Sequence, residues 1–278
     1  MKRRRFSELL TLIKRIKGRM AAFAVFAVFP VLAFNAPAYA VLVGSYAFEE
    51  GSGTIIQDAS GRGNNGALVN GKETSWTTGH SGLGLYFPGV TGSGSTHVNL
   101  GNPADFQLSN ALTFTAWVYS ENPNSDAPIL AKEGNGVLSY WFGVFHNQFG
   151  VLLDHTGNYA WDLERRNVGT VPAKEWHHLA ATWDGSVVHY FFDGVQLAES
   201  ANYSHTLFNG NANLTIGVNS HFNFTAFQGT LDDIHIYNNA LNADQIKADM
   251  NPVPIPGAAW LLGSGLLGLM GLKRRLLG

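Results

Sequence analysis

The side chains with most chemistry to offer are rings and oxygen donors close together in one stretch: Trp141, His146, Asp154, Tyr159 and Trp161, in and just after a predicted hairpin. Flat apolar sugar faces stack on Trp and Tyr, while Asp and His take the hydroxyls. These five residues are the expected ligand site, with carbohydrate as the ligand class. Trp141 and Trp161 suit the space between two sheets equally well. The Asn-rich segments 202–213 and 219–225 offer a second, rim-like set of polar groups, although turn chemistry alone accounts for their Asn and Gly.

A second group of donors suggests a hard cation. Strand parity puts Asp232 on the side of Ile234 and Ile236, so its carboxylate is expected to face inward and to need a partner. The 58–66 loop carries Asp58, Asn64 and Asn65 beside several carbonyls, and with Asp232 these oxygens suit Ca2+ as a structural cofactor. Asp58, Asn65 and Asp232 are the expected ligands. The alternative is that Asp232 accepts backbone N–H groups and Asp58 forms an Asx turn. No catalytic residue is predicted. His177 and His178 are adjacent, so on a strand they face opposite sides and cannot share a metal. No nucleophile-elbow motif is present.

Short strands must position these groups. No long helical period occurs between 41 and 250; short apolar or alternating runs are broken by Gly, Asn, Asp and Ser, the pattern of an antiparallel sandwich. Asp184-Gly185 and Asp193-Gly194 supply hairpin turns and make a three-strand meander from 176 onward. Further strands are predicted at 42–48, 84–87, 97–100, 112–119, 128–131, 138–146, 149–154, 160–163, 213–218 and 230–237, with 51–71 read as a Gly-rich loop. In 112–119, Leu112, Phe114, Ala116 and Val118 suit the space between sheets, whereas Thr113, Thr115, Trp117 and Tyr119 put two aromatics on the other face. One helix is expected at 243–250, capped by Asn242 with Gln245.

These runs resemble a LamG-like, concanavalin A-like jelly roll. The likeness rests on an ordered set: 46–51 (YAFEEG), 58–61 (DASG), Asn65-Gly66, 112–118 (LTFTAWV), 176–180 (WHHLA), Asp184-Gly185, 190–194 (YFFDG) and 229–237 (GTLDDIHIY). It implies an all-β fold of two stacked antiparallel sheets, one concave, used mostly to bind glycans or proteins. It also implies that Trp117 and Trp176 belong to the sandwich core. Relatives of this fold that cut β-glucans carry Glu-x-Asp-x-x-Glu on one strand face, because two acids must flank the scissile bond. That spacing is absent here.

The two ends have a different character. Residues 1–40 carry a basic region, an apolar run at 20–34 and Ala38-Tyr39-Ala40, the pattern of a signal peptide with a cleavage site. At the other end, Val253-Pro254-Ile255-Pro256 precedes an apolar run at 257–272 and Lys273-Arg274-Arg275. That order resembles the PEP-CTERM sorting signal, with Ile255 where the family usually has Glu. Val253, Pro254, Pro256, Arg274 and Arg275 are its expected sorting residues. The resemblance implies a short transmembrane segment, a sorting peptidase as partner and a basic tail at 273–275. The expected organisation is a signal peptide at 1–40, one LamG-like domain at 41–250 and a sorting segment at 251–278.

Charge narrows the partners. Eight Lys/Arg in 1–40 and three in the tail leave seven basic against 19 acidic residues in 41–250, a balance of -12. Such a surface lacks the positive patches that nucleic acid and anionic membranes require. With no cysteine, stability has to come from the core or a bound metal. The expectation is an exported, non-catalytic surface or matrix protein that binds polysaccharide. The alternatives are an adhesion protein binding another protein and a glycan-cleaving enzyme.

Overall fold

The computed structural model describes residues 40–72, 75–134, 136–158, 163–219 and 225–251, the side chains of 164–166 excepted. The expected signal segment up to 39, the tail from Pro252, and Tyr159 and Trp161 lie outside these residues.

Sixteen strands are found among the described residues. They are β1 (Leu42–Tyr46), β2 (Ile55–Ile56), β3 (Gly66–Val69), β4 (Trp76–Thr78), β5 (Leu83–Pro88), β6 (His97–Gly101), β7 (Leu112–Ser120) and β8 (Ala127–Gly134). They continue with β9 (Val137–Phe145), β10 (Gln148–Leu153), β11 (Leu163–Val168), β12 (Trp176–Trp183), β13 (Val187–Phe192), β14 (Val195–Asn202), β15 (Leu214–Ile216) and β16 (Gln228–Tyr237). One helix, α1 (Ala243–Met250), follows.

Sheet A runs β14-β13-β12-β7-β16-β5-β4, with β1 also on β16; sheet B runs β11-β10-β9-β8-β15-β6-β3-β2. Every pairing is antiparallel, so the two-sheet architecture is as expected. The supposed 51–71 loop contains β2 and β3.

The core lies between the sheets and follows the strand period. Leu112, Phe114, Ala116 and Val118 of β7 are buried there, opposite Tyr140, Phe142 and Val144 of β9. Phe114 meets Tyr140 and Phe142 with ring centroids 5.2 and 6.0 Å apart. Trp183 is fully buried and donates its indole N–H to Tyr203 O at 2.8 Å, which satisfies the one polar atom it takes into the core.

Two local devices shape the outer faces. The first is the capping box of α1: the Asn242 side chain accepts from Gln245 N, and the Gln245 side chain accepts from Asn242 N. It starts the helix where Ile246 drops onto Ala180 and Phe191, so α1 covers one end of the outer face of sheet A. The second is a bulge in β16 at Asp232/His235, with Asp233 at φ 43°. An extra residue reverses strand parity, so Leu231, Ile234 and Ile236 all reach the core while Asp232 turns outward. The inward carboxylate expected from simple alternation is thereby corrected.

Candidate functional site

On the outer face of sheet B, pairing aligns Leu152, Trp141, Ala131, Thr215, Asn99 and Ala67 in one line across β10, β9, β8, β15, β6 and β3. The line changes from apolar to polar. Its first part is a closed cluster in which Trp141 is 3% exposed and lies with Phe145, Leu138, Leu152 and Ala131. The Trp141 and Phe145 rings are 4.0 Å apart.

The polar part borders a cavity of about 250 Å³ lined by His97, Asn99, Glu133, Asn211, Asn213 and Thr215, with Gly134 and Ala212. His97 and Asn99 come from β6, where the alternating residues Val98 and Leu100 are buried in the core. The His97 Nδ1 lies 3.0 Å from Ser95 O, and a carbonyl only accepts, so Nδ1 carries the proton and Nε2 of the neutral ring is an acceptor. Burial holds the imidazole below its ordinary pKa, which keeps it neutral. Thr215 spends its hydroxyl hydrogen on Val218 O at 2.7 Å and retains acceptor capacity.

Beside the cavity, Glu133 is 2% exposed and burial pushes its carboxyl up to about 8. Near neutral pH this favours the protonated acid, which is able both to donate and to accept. Its neighbour Lys132 is fully buried and burial brings its amine down to about 8. That amine donates to Asn102 Oδ1 at 2.5 Å, Ala212 O at 2.6 Å and Gly210 O at 3.3 Å. Lys132 thus ties the Asn211–Asn213 loop to β8 and sets one wall of the cavity.

Of the expected hairpin residues, Trp141, His146 and Asp154 are described, and they are not brought together. His146 and Asn147 are the two positive-φ residues of the β9–β10 turn, with φ of 46° and 63°, as a type I′ hairpin requires. The His146 side chain is 81% exposed and lies 3.6 Å from the Asp126 carboxylate. Asp154 is at the far end of β10, about 20 Å away at roughly 3.4 Å per residue. Its Oδ1 accepts from Thr156 N, Thr156 Oγ1 and Gly157 N at 2.7–2.9 Å, the hydrogen-bond pattern of an Asx turn. Trp141, between them, is covered.

The expected calcium donors are engaged in hydrogen bonds within the protein. Asp58 Oδ1 accepts from Ser45 N and Ser60 N, and Oδ2 from Ser60 Oγ and Asn64 N, at 2.8–3.0 Å. Those four bonds use a carboxylate's four lone-pair directions and outweigh burial, leaving the acid below its ordinary pKa. Asn65 Oδ1 accepts from Asp58 N at 2.8 Å. Asp232 instead accepts from Ser81 N at 3.0 Å and Asp233 N at 2.8 Å, and burial raises it to about 7. Among the described residues, no three His, Asp or Glu side chains are grouped as a metal site.

Trp117 and Trp176 are outside the sandwich. Both lie on the outer face of sheet A, in register rows with Asp232 and His178 and with Tyr119. The loop 79–82 crosses this face, and any Cβ on Gly79 would collide with Leu83 O at 2.2 Å and Asp232 Oδ2 at 2.5 Å. That contact lays His80 flat on Trp117, with centroids 3.4 Å apart and planes 9° from parallel. Beneath α1, Asp249 accepts from Thr115 Oγ1 at 2.7 Å and from the Tyr237 hydroxyl, and its Oδ1 is 2.8 Å from His235 Nδ1. Burial alone would depress His235, but the Asp249 carboxylate overrides it and raises the imidazole above its ordinary pKa.

Sequence reasoning missed the sheet B cavity, although two signals were available. His97-Val98-Asn99-Leu100 alternates polar and apolar residues, and Lys132-Glu133 interrupts the apolar run of β8.

Among solved structures, the fold is similar to domain 4 of AbnA, an extracellular arabinanase from Geobacillus stearothermophilus, in complex with arabinotriose. That match has a TM-score of 0.58 and 22% identity over 76% of this chain and 99% of the other. The binding domain of Paraclostridial Mosquitocidal Protein 1 is similar at TM-score 0.56 and 13% identity, covering 76% of this chain and 52% of that one. A Trypanosoma rangeli sialidase in complex with sialic acid is similar at TM-score 0.55 and 19% identity, over 76% and 33% of the two chains. Among curated proteins, the Adhesion G-protein coupled receptor V1 of Danio rerio is 26% identical over 178 residues, 60% of this chain. The chain spans about 3% of that receptor's length. The Laminin_G_3 model matches residues 92–247, more than half of the sequence, and the chain belongs to that family of the concanavalin A-like lectin/glucanases superfamily.

Proposed function

We propose that this protein is a non-catalytic carbohydrate-binding module that holds a sugar in the sheet B cavity. The carrying observation is the lining: side-chain amides of Asn99, Asn211 and Asn213, the Thr215 hydroxyl, a neutral imidazole and the Glu133 carboxyl, around about 250 Å³. That volume is below the roughly 300–1,000 Å³ of drug-sized ligand pockets and suits a single sugar unit. Amides and a protonated acid serve as both donors and acceptors, as hydroxyls do. One carboxyl lines the cavity, whereas hydrolysis by paired acids uses two.

The test is titration of the purified domain with methyl glycosides of glucose, galactose, mannose, N-acetylglucosamine and arabinose, read as amide shifts. Shifts at Asn99, Asn213 and Thr215 that vanish in Asn99→Ala are expected. No shift there with any of them refutes the reading, and turnover of a glycan substrate refutes its non-catalytic part.

The ends extend the proposal. An export signal at 1–40 and a tail at 251–278 of the PEP-CTERM order would carry the domain across the inner membrane. The segment 257–272 would hold it in the membrane until a sorting peptidase acts, and the product would stand at the cell surface or outside it. No helix among the described residues is long and apolar enough to cross a membrane, and both segments lie outside those residues apart from Ala40 and Asn251. Support comes from the proline, apolar and basic order of the tail. Intact mass of the surface form is expected to lack 257–278; retention of Arg275 refutes processing.

A further inference from the structure

The outer face of sheet A is closed at one end by α1 and in the middle by the loop 79–82, but a row of rings remains at the other end. Tyr86 pairs with Thr230, Thr230 with Tyr119 and Tyr119 with Trp176, in one straight line across β5, β16, β7 and β12. With strands about 4.8 Å apart, the line is roughly 14 Å long. Tyr86, Tyr119 and Trp176 are each half-buried, and the Tyr119 and Trp176 rings are 5.6 Å apart and inclined by 50°. Thr77, Thr78 and Glu121 complete a cleft of about 410 Å³ around the row. The Tyr86 hydroxyl donates to Glu121 Oε2 at 3.3 Å, which holds that ring at the rim.

We propose that this row is a second carbohydrate surface, which takes an extended glycan chain without anionic groups, laid across the strands on the side of the sandwich opposite the sheet B cavity. The spacing of the strands, about 4.8 Å, is close to one pyranose unit, so a chain laid along the row meets Trp176 and Tyr119 with two successive sugars, Thr230 with the next and Tyr86 with the one after. The Thr77, Thr78 and Thr230 hydroxyls lie among the rings as partners for sugar hydroxyls. Charge selects the glycan. The lining holds a carboxylate and no Lys or Arg, within a segment of balance -12, so an anionic chain meets repulsion. A ligand at each face would let one protein molecule bridge two chains, with the gain in avidity that bivalence brings. The proposal shares with the function above the carbohydrate ligand class, but it rests on different residues.

The experiment titrates the domain with cellohexaose, laminarihexaose, mannohexaose and arabinohexaose, and with an alginate hexasaccharide as the anionic control. Ring resonances of Tyr86, Tyr119 and Trp176 in the wild type should shift with at least one neutral oligomer and with none of the alginate. Tyr119→Ala and Trp176→Ala should each weaken that binding about tenfold, the effect of losing one stacked ring, while Asn99→Ala leaves it unchanged. Because the shifts are read on the wild type, a variant that misfolds does not decide the outcome. Absence of ring shifts with every neutral oligomer overturns the proposal, as does coverage of the row by self-association or by a protein ligand that excludes the sugars. Loss of the cavity shifts alone, with the ring shifts retained, refutes only the sheet B reading.

Discussion

The two outer faces of this sandwich are made of the same alternating strands, yet they solve opposite problems. On sheet B a tryptophan, Trp141, is sealed within an apolar cluster and polar groups line the open part. On sheet A a polar network, Asp249 with His235, Thr115 and Tyr237, is sealed beneath α1, and the aromatic groups line the open part. Residue type alone therefore does not tell which side chains meet a ligand. What matters is which half of each face another piece of chain covers.

The sharpest test of this contrast compares three tryptophans by urea unfolding. Trp183→Ala, between the sheets, should cost about 3–5 kcal/mol, and Trp141→Ala, outside the sheets but covered, about 3 kcal/mol. Trp176→Ala, in the open row, should cost about 1 kcal/mol or less. A Trp176 loss as large as that of Trp183 would put the row inside the fold and end the comparison.

The sealed network of sheet A is the next lever. Asp249→Ala leaves His235 and Tyr237 buried without their acceptor and should cost about 3 kcal/mol, with faster amide exchange throughout α1. A stable variant with unchanged exchange would mean that Ile246 alone holds the helix.

On sheet B the matching lever is pH. Glu133 has a folded pKa raised to about 8, above its unfolded value, so the native state binds the proton more tightly. Stability from this group is full below its unfolded pKa of about 4.3 and declines as pH rises to about 8, at roughly 1.4 kcal/mol per unit at most. Glu133→Gln should flatten that decline; a wild-type curve already flat across the window would show the carboxyl to be solvated.

The smallest expected effect concerns metal. Since Asp58 spends its lone pairs on N–H and O–H donors, chelator should leave the melting temperature unmoved. A chelator-induced drop that calcium reverses and Asp232→Asn abolishes would restore the calcium site.

Much of the architecture was legible because local chemistry dictates it. The helix Ala243–Met250 follows from Asn242 and Gln245, and the β7 core from the parity of Leu112, Phe114, Ala116 and Val118. Strands β2 and β3 were not legible, because their short runs sit among glycines and are held by pairing to each other and to β6. The aromatic parity of Trp117 and Tyr119 was visible too, but the likeness to a known fold drew Trp117 and Trp176 into the core, where neither lies.

By itself, the sequence determined the class of fold, the acidic surface, the hairpin turns and the capped helix, each of which depends on residues near one another in the chain. Tertiary structure alone decided which polar and aromatic groups meet. Asp232 changed sides through one extra residue in β16, and Glu133 joined Asn99 and Asn213 through pairing among β8, β15 and β6. The reason is physical. A strand's two faces are set by local alternation, but register, bulges and the covering of a face come from contacts between segments far apart in sequence, whose energies no short window contains.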